Sequence, residues 1–320
     1  MRKTILFLFL LISTYSIACD GCNVFVNFSP NDYKNRISLF ARNRMMIGEY
    51  NMFGLMTLTK HASHGNDPSF WNNQVIEHYN TLELRGSFYV KEVWKTTLII
   101  PFINNHQTVG TENRYIVNGF SDPIIMESYQ VYNSFKTDDK SKLLHRLEIG
   151  LGVKLPLGKI NITNELGLPN LDLQPGTGSF DYLANLTYIT KYKQMGMYSN
   201  LNYKFNTFNA DNYKYGNTTN VTINMFYQTK GPKISFMPSV GVYVEQMSFD
   251  ENKYSQNNET TYFEYSDTGG QILFANIGLK IYKGDFVLTT EFQKVMGSKL
   301  NGYSQLLTRH KINVGLTYNF

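Results

Sequence analysis

The chain has 320 residues, a formal net charge of +5, 17% charged residues and 15% aromatics, with 23 Tyr and 22 Phe against 2 Trp. That charge is too mild to point to a nucleic-acid partner. Both cysteines, Cys19 and Cys22, lie near the start, so no disulfide framework holds the body together.

Residues 1–18 read as a secretory signal peptide: basic Arg2-Lys3, an almost wholly apolar run from Ile5 to Ile12, and the small-x-small site Ser16-Ile17-Ala18. The run is too short to span a bilayer. Cleavage after Ala18 removes Arg2 and Lys3, lowers the net charge from +5 to +3, and leaves Cys19 first. Ser16 stands where a lipoprotein signal carries Leu, so ordinary cleavage is expected. Residues 19–36 then form a periplasmic N-terminal segment with Cys19-Asp20-Gly21-Cys22. Two thiols at this spacing can share a soft metal or close a small disulfide, and an oxidising periplasm makes the disulfide the default. No other cofactor is expected.

Residues 37–320 hold no apolar run as long as a transmembrane helix, and the mean hydropathy is −0.30. They alternate instead. Candidate strands fall at 37–47, 81–90, 94–104, 121–134, 144–155, 180–192, 197–208, 217–229, 234–248, 270–282, 286–296 and 306–320. The pattern predicts an all-β fold: a closed, antiparallel, up-and-down transmembrane β-barrel of about twelve strands, an even number as single-chain barrels require. Half of each strand faces the lumen and is polar, which is how such a chain escapes a hydropathy test.

The connections sort by side. Those after even-numbered strands are short (91–93, 193–196, 230–233 and 283–285, with 136–143 still compact), and those after odd-numbered strands are generally long (48–80, 105–120, 156–179, 250–269). Short periplasmic turns and long outer loops are the asymmetry of an outer-membrane barrel. Every even-numbered strand finishes on an aromatic: Tyr89, Tyr132, Tyr188, Tyr227, Tyr282 and Phe320. Amphipathic rings favour headgroup level, so these six predict the inner aromatic girdle. Pro238 inside its strand predicts a bulge. Ile124, Ile125 and Met126 run together and leave the faces of their strand unassigned.

The last strand alternates most cleanly, with Ile312, Val314, Leu316, Tyr318 and Phe320 on one face. It resembles the closing strand of bacterial outer-membrane β-barrels. That resemblance implies an outer-membrane location and an assembly signal, Tyr318 and Phe320, read by the barrel-insertion machinery. Outer-membrane lipids and lipopolysaccharide are the expected surroundings.

Opposite the apolar faces lie Arg42, Arg44, Glu83, Arg85, Lys95, Glu148, Lys154, Asp181, Lys204, Glu245, Lys280, Glu291 and Lys311. Lys or Arg facing lipid at the midplane costs about 2–4 kcal/mol, so the lumen is their expected home. They serve either as ion pairs stiffening the wall or as a polar path for a small solute. About eight strands leave an interior filled by side chains and about sixteen leave an aqueous channel, so a narrow, partly occluded pore is the expectation. His61 and His64, with His78 nearby, read as loop residues.

Gln174-Pro175-Gly176-Thr177-Gly178-Ser179-Phe180-Asp181 and Gly119-Phe120-Ser121-Asp122-Pro123 resemble strand starts in a family of outer-membrane transporters named after the meta-pathway of phenol degradation. Thr268-Gly269-Gly270 and Asn301-Gly302 fall where similar turns precede its late strands. The resemblance implies a channel for small, often hydrophobic or aromatic solutes. The Cys-x-x-Cys start resembles those of some other outer-membrane barrels, but Asn23 and Val24 stand where a further Gly-Cys commonly follows. The alternatives are a structural or metal-associated barrel without transport, and a lipid hydrolase with an outward Ser-His pair from His145, His310, Ser128 and Ser199. No shared Ser-His motif supports the last, and no enzymatic activity is expected.

Overall fold

The computed structural model describes residues 34–49, 74–135, 143–163, 170–229, 231–256, 259–301 and 306–320. The wall begins with β1 (Arg36–Glu49), β2 (Gln74–Val90) and β3 (Trp94–Val109), then β4 (Glu112–Phe120) and β5 (Ile124–Asn133). It continues through β6 (Leu144–Lys154), β7 (Asp181–Tyr192) and β8 (Met195–Phe205) to β10 (Thr218–Tyr227) and β11 (Ser235–Met247). The last three are β14 (Gly270–Lys283), β15 (Phe286–Leu300) and β16 (Leu307–Asn319). Each pairs antiparallel with its neighbour, and β16 returns to β1 from Arg36↔Asn319 to Ile47↔Leu307. The result is a closed barrel of twelve strands in which β4 and β5 together make the fourth. Closure leaves no free edge, which hydrocarbon would not tolerate.

Side-chain alternation sets the two surfaces. On β2, Leu82, Leu84, Phe88 and Val90 are exposed while Glu83, Arg85 and Ser87 are buried. The same split gives exposed Ile312, Val314, Leu316 and Tyr318 on β16 and exposed Ile223, Met225 and Tyr227 on β10. A transmembrane strand needs about 9–11 tilted residues. The 17 of β2, 16 of β3 and 15 of β15 therefore stand above the hydrocarbon at the long-loop end.

That excess length is the main departure from the predicted elements. Residues 105–120, expected as a loop, continue β3 and turn back as β4 through Gly110-Thr111, where Gly110 takes φ +60°, a tight hairpin. Side chains above the membrane need no apolar face, so His106-Gln107-Thr108 carries little alternation signal. The residues between β4 and β5, Ser121-Asp122-Pro123, break the fourth strand where a donorless proline interrupts the ladder. Its faces are now assigned: Ile124 and Met126 point in and Ile125 points out. Glu127 also points out, accepting a 2.7 Å hydrogen bond from Thr96, one level above the Trp94–Tyr129 ring pair.

Pro238 makes no bulge. The β11–β14 register runs through Pro238↔Leu279 unbroken, and the ladder to β10 ends one pair earlier at Phe226↔Ser239. The missing N–H thus falls beyond the ladder it would have broken. Bulges occur instead at Met45/Met46, Gln107/Thr108, Gln130/Tyr132 and Leu273/Phe274.

The expected girdle is corrected at two positions. Tyr132, Tyr227 and Phe320 are exposed and Tyr188 is half-buried on the outer face. Tyr89 and Tyr282 share the parity of the interior: the Lys95 ammonium lies 5.8 Å from the Tyr89 ring centroid, and Tyr282 packs on Met237. Phe88, Trp94, Tyr129, Tyr192, Phe236, Phe286 and Tyr318 complete the band at that end. Phe320 joins the seam, its N–H bonding the Asn35 carbonyl at 2.8 Å and its ring meeting Phe88 and Tyr318.

Over the outer loops β12 (Glu251–Gln256) pairs with β13 (Glu259–Glu264) and with β9 (Tyr213–Lys214), a small sheet that sequence patterning did not predict. Its anchor is Tyr213, whose hydroxyl donates to Asp250 at 2.5 Å. Burial and the Asp250 carboxylate push that phenol well above its ordinary range, so it stays a donor.

Candidate functional site

Three buried glutamates project into the barrel from different strands, and each is gripped by two cations. Glu83 meets Arg42 at 3.1 Å and Arg85 at 2.5 Å. Glu148, near the short-turn end, meets Arg146 at 3.0 Å and Lys95 at 2.7 Å. Glu245, near the long-loop end, meets Arg44 at 3.2 Å and Lys311 at 2.8 Å. Strand alternation explains the sharing within a strand: Arg85 lies two residues from Glu83, and Arg146 two from Glu148, on the same face.

The Glu245 clasp reaches further. Arg44 is on β1 and Lys311 on β16, whereas Glu245 is on β11, with β14 and β15 between, so the ion pairs cross the interior as a chord. Thr308 holds the Arg44 guanidinium at 2.9 and 2.6 Å. The Lys311 ammonium lies 5.1 Å from the Tyr243 ring centroid and 4.8 Å from that of Phe274, a cation–π pocket on the same side. Six cations against three carboxylates leave these clasps with net positive charge.

A second assembly lies at the long-loop end. Lys154, the last residue of β6, bonds Asp122 at 3.1 Å, Asp181 at 2.5 Å and the Thr177 hydroxyl. Asp122 also accepts the Gly158 and Thr177 N–H groups, each at 2.8 Å. The two Gly-containing motifs singled out in the sequence thus meet on one lysine. Gly176 is needed there: a Cβ would stand 2.5 Å from the Gly158 carbonyl oxygen.

Ahead of this knot's Thr177 in the chain, residues 170–174 fold inward as a strap. Its 3₁₀ turn, Leu171–Leu173, buries Leu173 completely against Tyr79, Tyr115 and Val117. Polar contacts tie it to the wall: Asn105 to the Leu173 carbonyl at 3.2 Å, Tyr215 to the Leu171 carbonyl at 3.0 Å, and Asn170 to the Glu77 carboxyl at 3.4 Å. Glu77 further accepts from Tyr79 at 2.5 Å and Gln107 at 2.7 Å.

Arg44, Glu83, Arg85, Glu148, Lys154, Asp181, Lys204, Glu245, Lys280, Glu291 and Lys311 are buried, and Arg42 and Lys95 nearly so. The structure joins ten of these thirteen through the clasps and the Lys154 knot. Glu291 is held at 2.8 Å by Gln293 and faces the charges of Lys280 and Arg42, while Lys204 lies on β8. Sequence reasoning missed Arg146, whose parity with Glu148 was legible, and Glu77, which lay in a stretch read as loop.

Cys19, Cys22, His61 and His64 lie outside the described residues, within which no group of three or more His, Cys, Asp or Glu is arranged to hold a metal. Ser128 faces inward, against the outward placement considered for it. His145 is engaged by the Tyr188 hydroxyl at 2.6 Å, and the His310 ring stacks with Phe292.

No protein-family model and no curated protein matches the sequence. Among solved structures the barrel is similar to an outer-membrane channel from Pseudomonas putida F1, with TM-score 0.59 and 8% identity over 92% of this chain and 100% of that one. The β-domain of the Bordetella autotransporter Brka gives TM-score 0.48 and 9% identity over 90% of this chain and 100% of its own. NanC porin gives 0.40 and 10% over 88% and 100%. At such identities the first likeness establishes fold alone: a closed β-barrel of the outer-membrane type, whose apolar outer belt suits a lipid bilayer.

Proposed function

We propose that the chain is an outer-membrane channel for small solutes, with an interior that favours anions and a strap that narrows its outer mouth. The observation that carries this reading is the doubled cation grip on Glu83, Glu148 and Glu245. A wall needing only stiffness is served by one-to-one pairs, whereas two cations set on each of these carboxylates favour a positive potential along the interior, the usual basis of anion selectivity. The resemblance of residues 119–123 and 174–181 to transporters of the phenol meta-pathway adds small hydrophobic or aromatic compounds to the solutes to be tried.

The test is liposome swelling with the purified barrel and a panel of organic anions, sugars, organic cations and neutral aromatics. Uptake of small anions ahead of cations of equal size supports the reading. A second reading, a structural barrel, is favoured by the chord from Arg44 to Glu245 and by the buried strap. Silence toward every solute, with the fold intact, would establish it.

A further inference from the structure

The outer surface of β1–β4 and β16 is not apolar to its top. On β2 the lipid-facing run from Val90 to Leu82 spans nine residues, about the length that crosses a bilayer. The next row is asparagine on four successive strands, Asn43↔Asn80↔Asn104↔Asn118. The row above holds three histidines, His310↔Met45↔His78↔His106. Exposed Lys294, paired in register with His310, and exposed Arg309, the bulge residue beside it, flank this row.

The side chains form a terrace. The His78 and His106 rings stack with centroids 4.7 Å apart. Asn43 bonds Asn80 at 2.8 Å and approaches His78 Nδ1 at 3.4 Å, and Asn80 reaches the Asn104 carbonyl at 2.9 Å. Asparagine is a poor strand former. Four in one row on an outer wall are therefore unexplained by strand stability, and neither row carries an acidic residue at its outward positions on β15, β16 and β1–β4.

We propose that this terrace docks the phosphate-bearing headgroup of an outer-leaflet lipid. Its height is that of the headgroups, one row beyond the nine-residue apolar run that ends at the level of Ala41, Leu82, Phe102 and Phe120. The outward face turns apolar again at Ile116 beside the histidines and at Ile47, Ile76 and Leu307 above them, so the polar rows form a bounded band. Lys294 and Arg309 supply charge, and the asparagine amides and imidazole N–H groups donate to phosphate and sugar oxygens. The site is independent of the channel reading, since none of these groups faces the interior.

The test uses the full folded barrel in detergent, titrated with bisphosphorylated lipid A, its dephosphorylated form and phosphatidylcholine, and read by native mass spectrometry. Lipid A should bind well ahead of the other two. Replacing both Lys294→Gln and Arg309→Gln should weaken it about 25-fold, roughly fivefold for each cation near the surface. Asn80→Ala should weaken it less, and Lys233→Gln at the opposite end should not change it. Heat-modifiable migration verifies that each variant has folded. Equal binding of all three lipids, or full lipid A binding by the folded double variant, would overturn the assignment. So would inorganic phosphate binding as tightly as the lipid.

Discussion

Replacing Glu245 by Gln removes the carboxylate that joins β11 to β1 and β16 across the interior. Its side chain is 2% exposed, and its partners Arg44 and Lys311 are 4% and 5% exposed, so water does little to relieve the cations left behind. Breaking a buried pair from one side costs about 3–5 kcal/mol, and because the Gln carbonyl still accepts one hydrogen bond, the loss should fall near 3. The pair Lys34–Asp285, 59% and 51% exposed, is the internal control: Asp285→Asn should cost roughly 0–1 kcal/mol. The assay is reversible urea unfolding from lipid vesicles, followed by tryptophan fluorescence. The same Glu245→Gln variant loses a lumen negative charge, so its anion preference should rise. Equal stability losses for the two variants, with selectivity unmoved, would refute the view that the clasp is a dry, charge-setting bridge.

Leu84→Arg, on the lipid face of β2, should cost about 2–4 kcal/mol in the same unfolding assay, and an unchanged stability would mean that this face does not meet hydrocarbon. Deleting Phe320, or replacing it with Lys, should lower membrane insertion several-fold while export continues; wild-type heat-modifiable migration would count against the closing-strand role. Lys154→Met leaves Asp122 and Asp181 without their shared cation and should loosen the strap, raising single-channel conductance. If the variant folds and conducts as before, the strap does not narrow the mouth.

Much of the wall was legible because a barrel strand must alternate: the order, direction and face of nearly every strand follow from period-two patterning and from the short-turn, long-loop rhythm. What escaped was structure above the membrane. The tops of β2 and β3, most of β4 and the sheet of β9, β12 and β13 rise beyond the apolar belt, so lipid imposes no apolar outer face on them. Their inner contacts, such as Tyr79, Tyr115 and Val117 on Leu173, come from a distant segment. Tyr89 and Tyr282 show a second limit. An aromatic at a strand end marks the headgroup level, yet one step of parity decides whether its ring joins the girdle or packs inward. The charges that form the clasps could be placed inside from sequence, but their partners could not. The approach of Glu245 to Arg44 and Lys311 depends on the curvature of four intervening strand pairings, and no local pattern encodes it.

The most direct measurement is the reversal potential of the wild-type barrel in a planar bilayer under a potassium chloride gradient. Conductance with a reversal potential displaced toward the chloride equilibrium value is the result expected from six cations clasping three carboxylates. A potential displaced toward potassium, or no conductance from a folded barrel, would contradict the account.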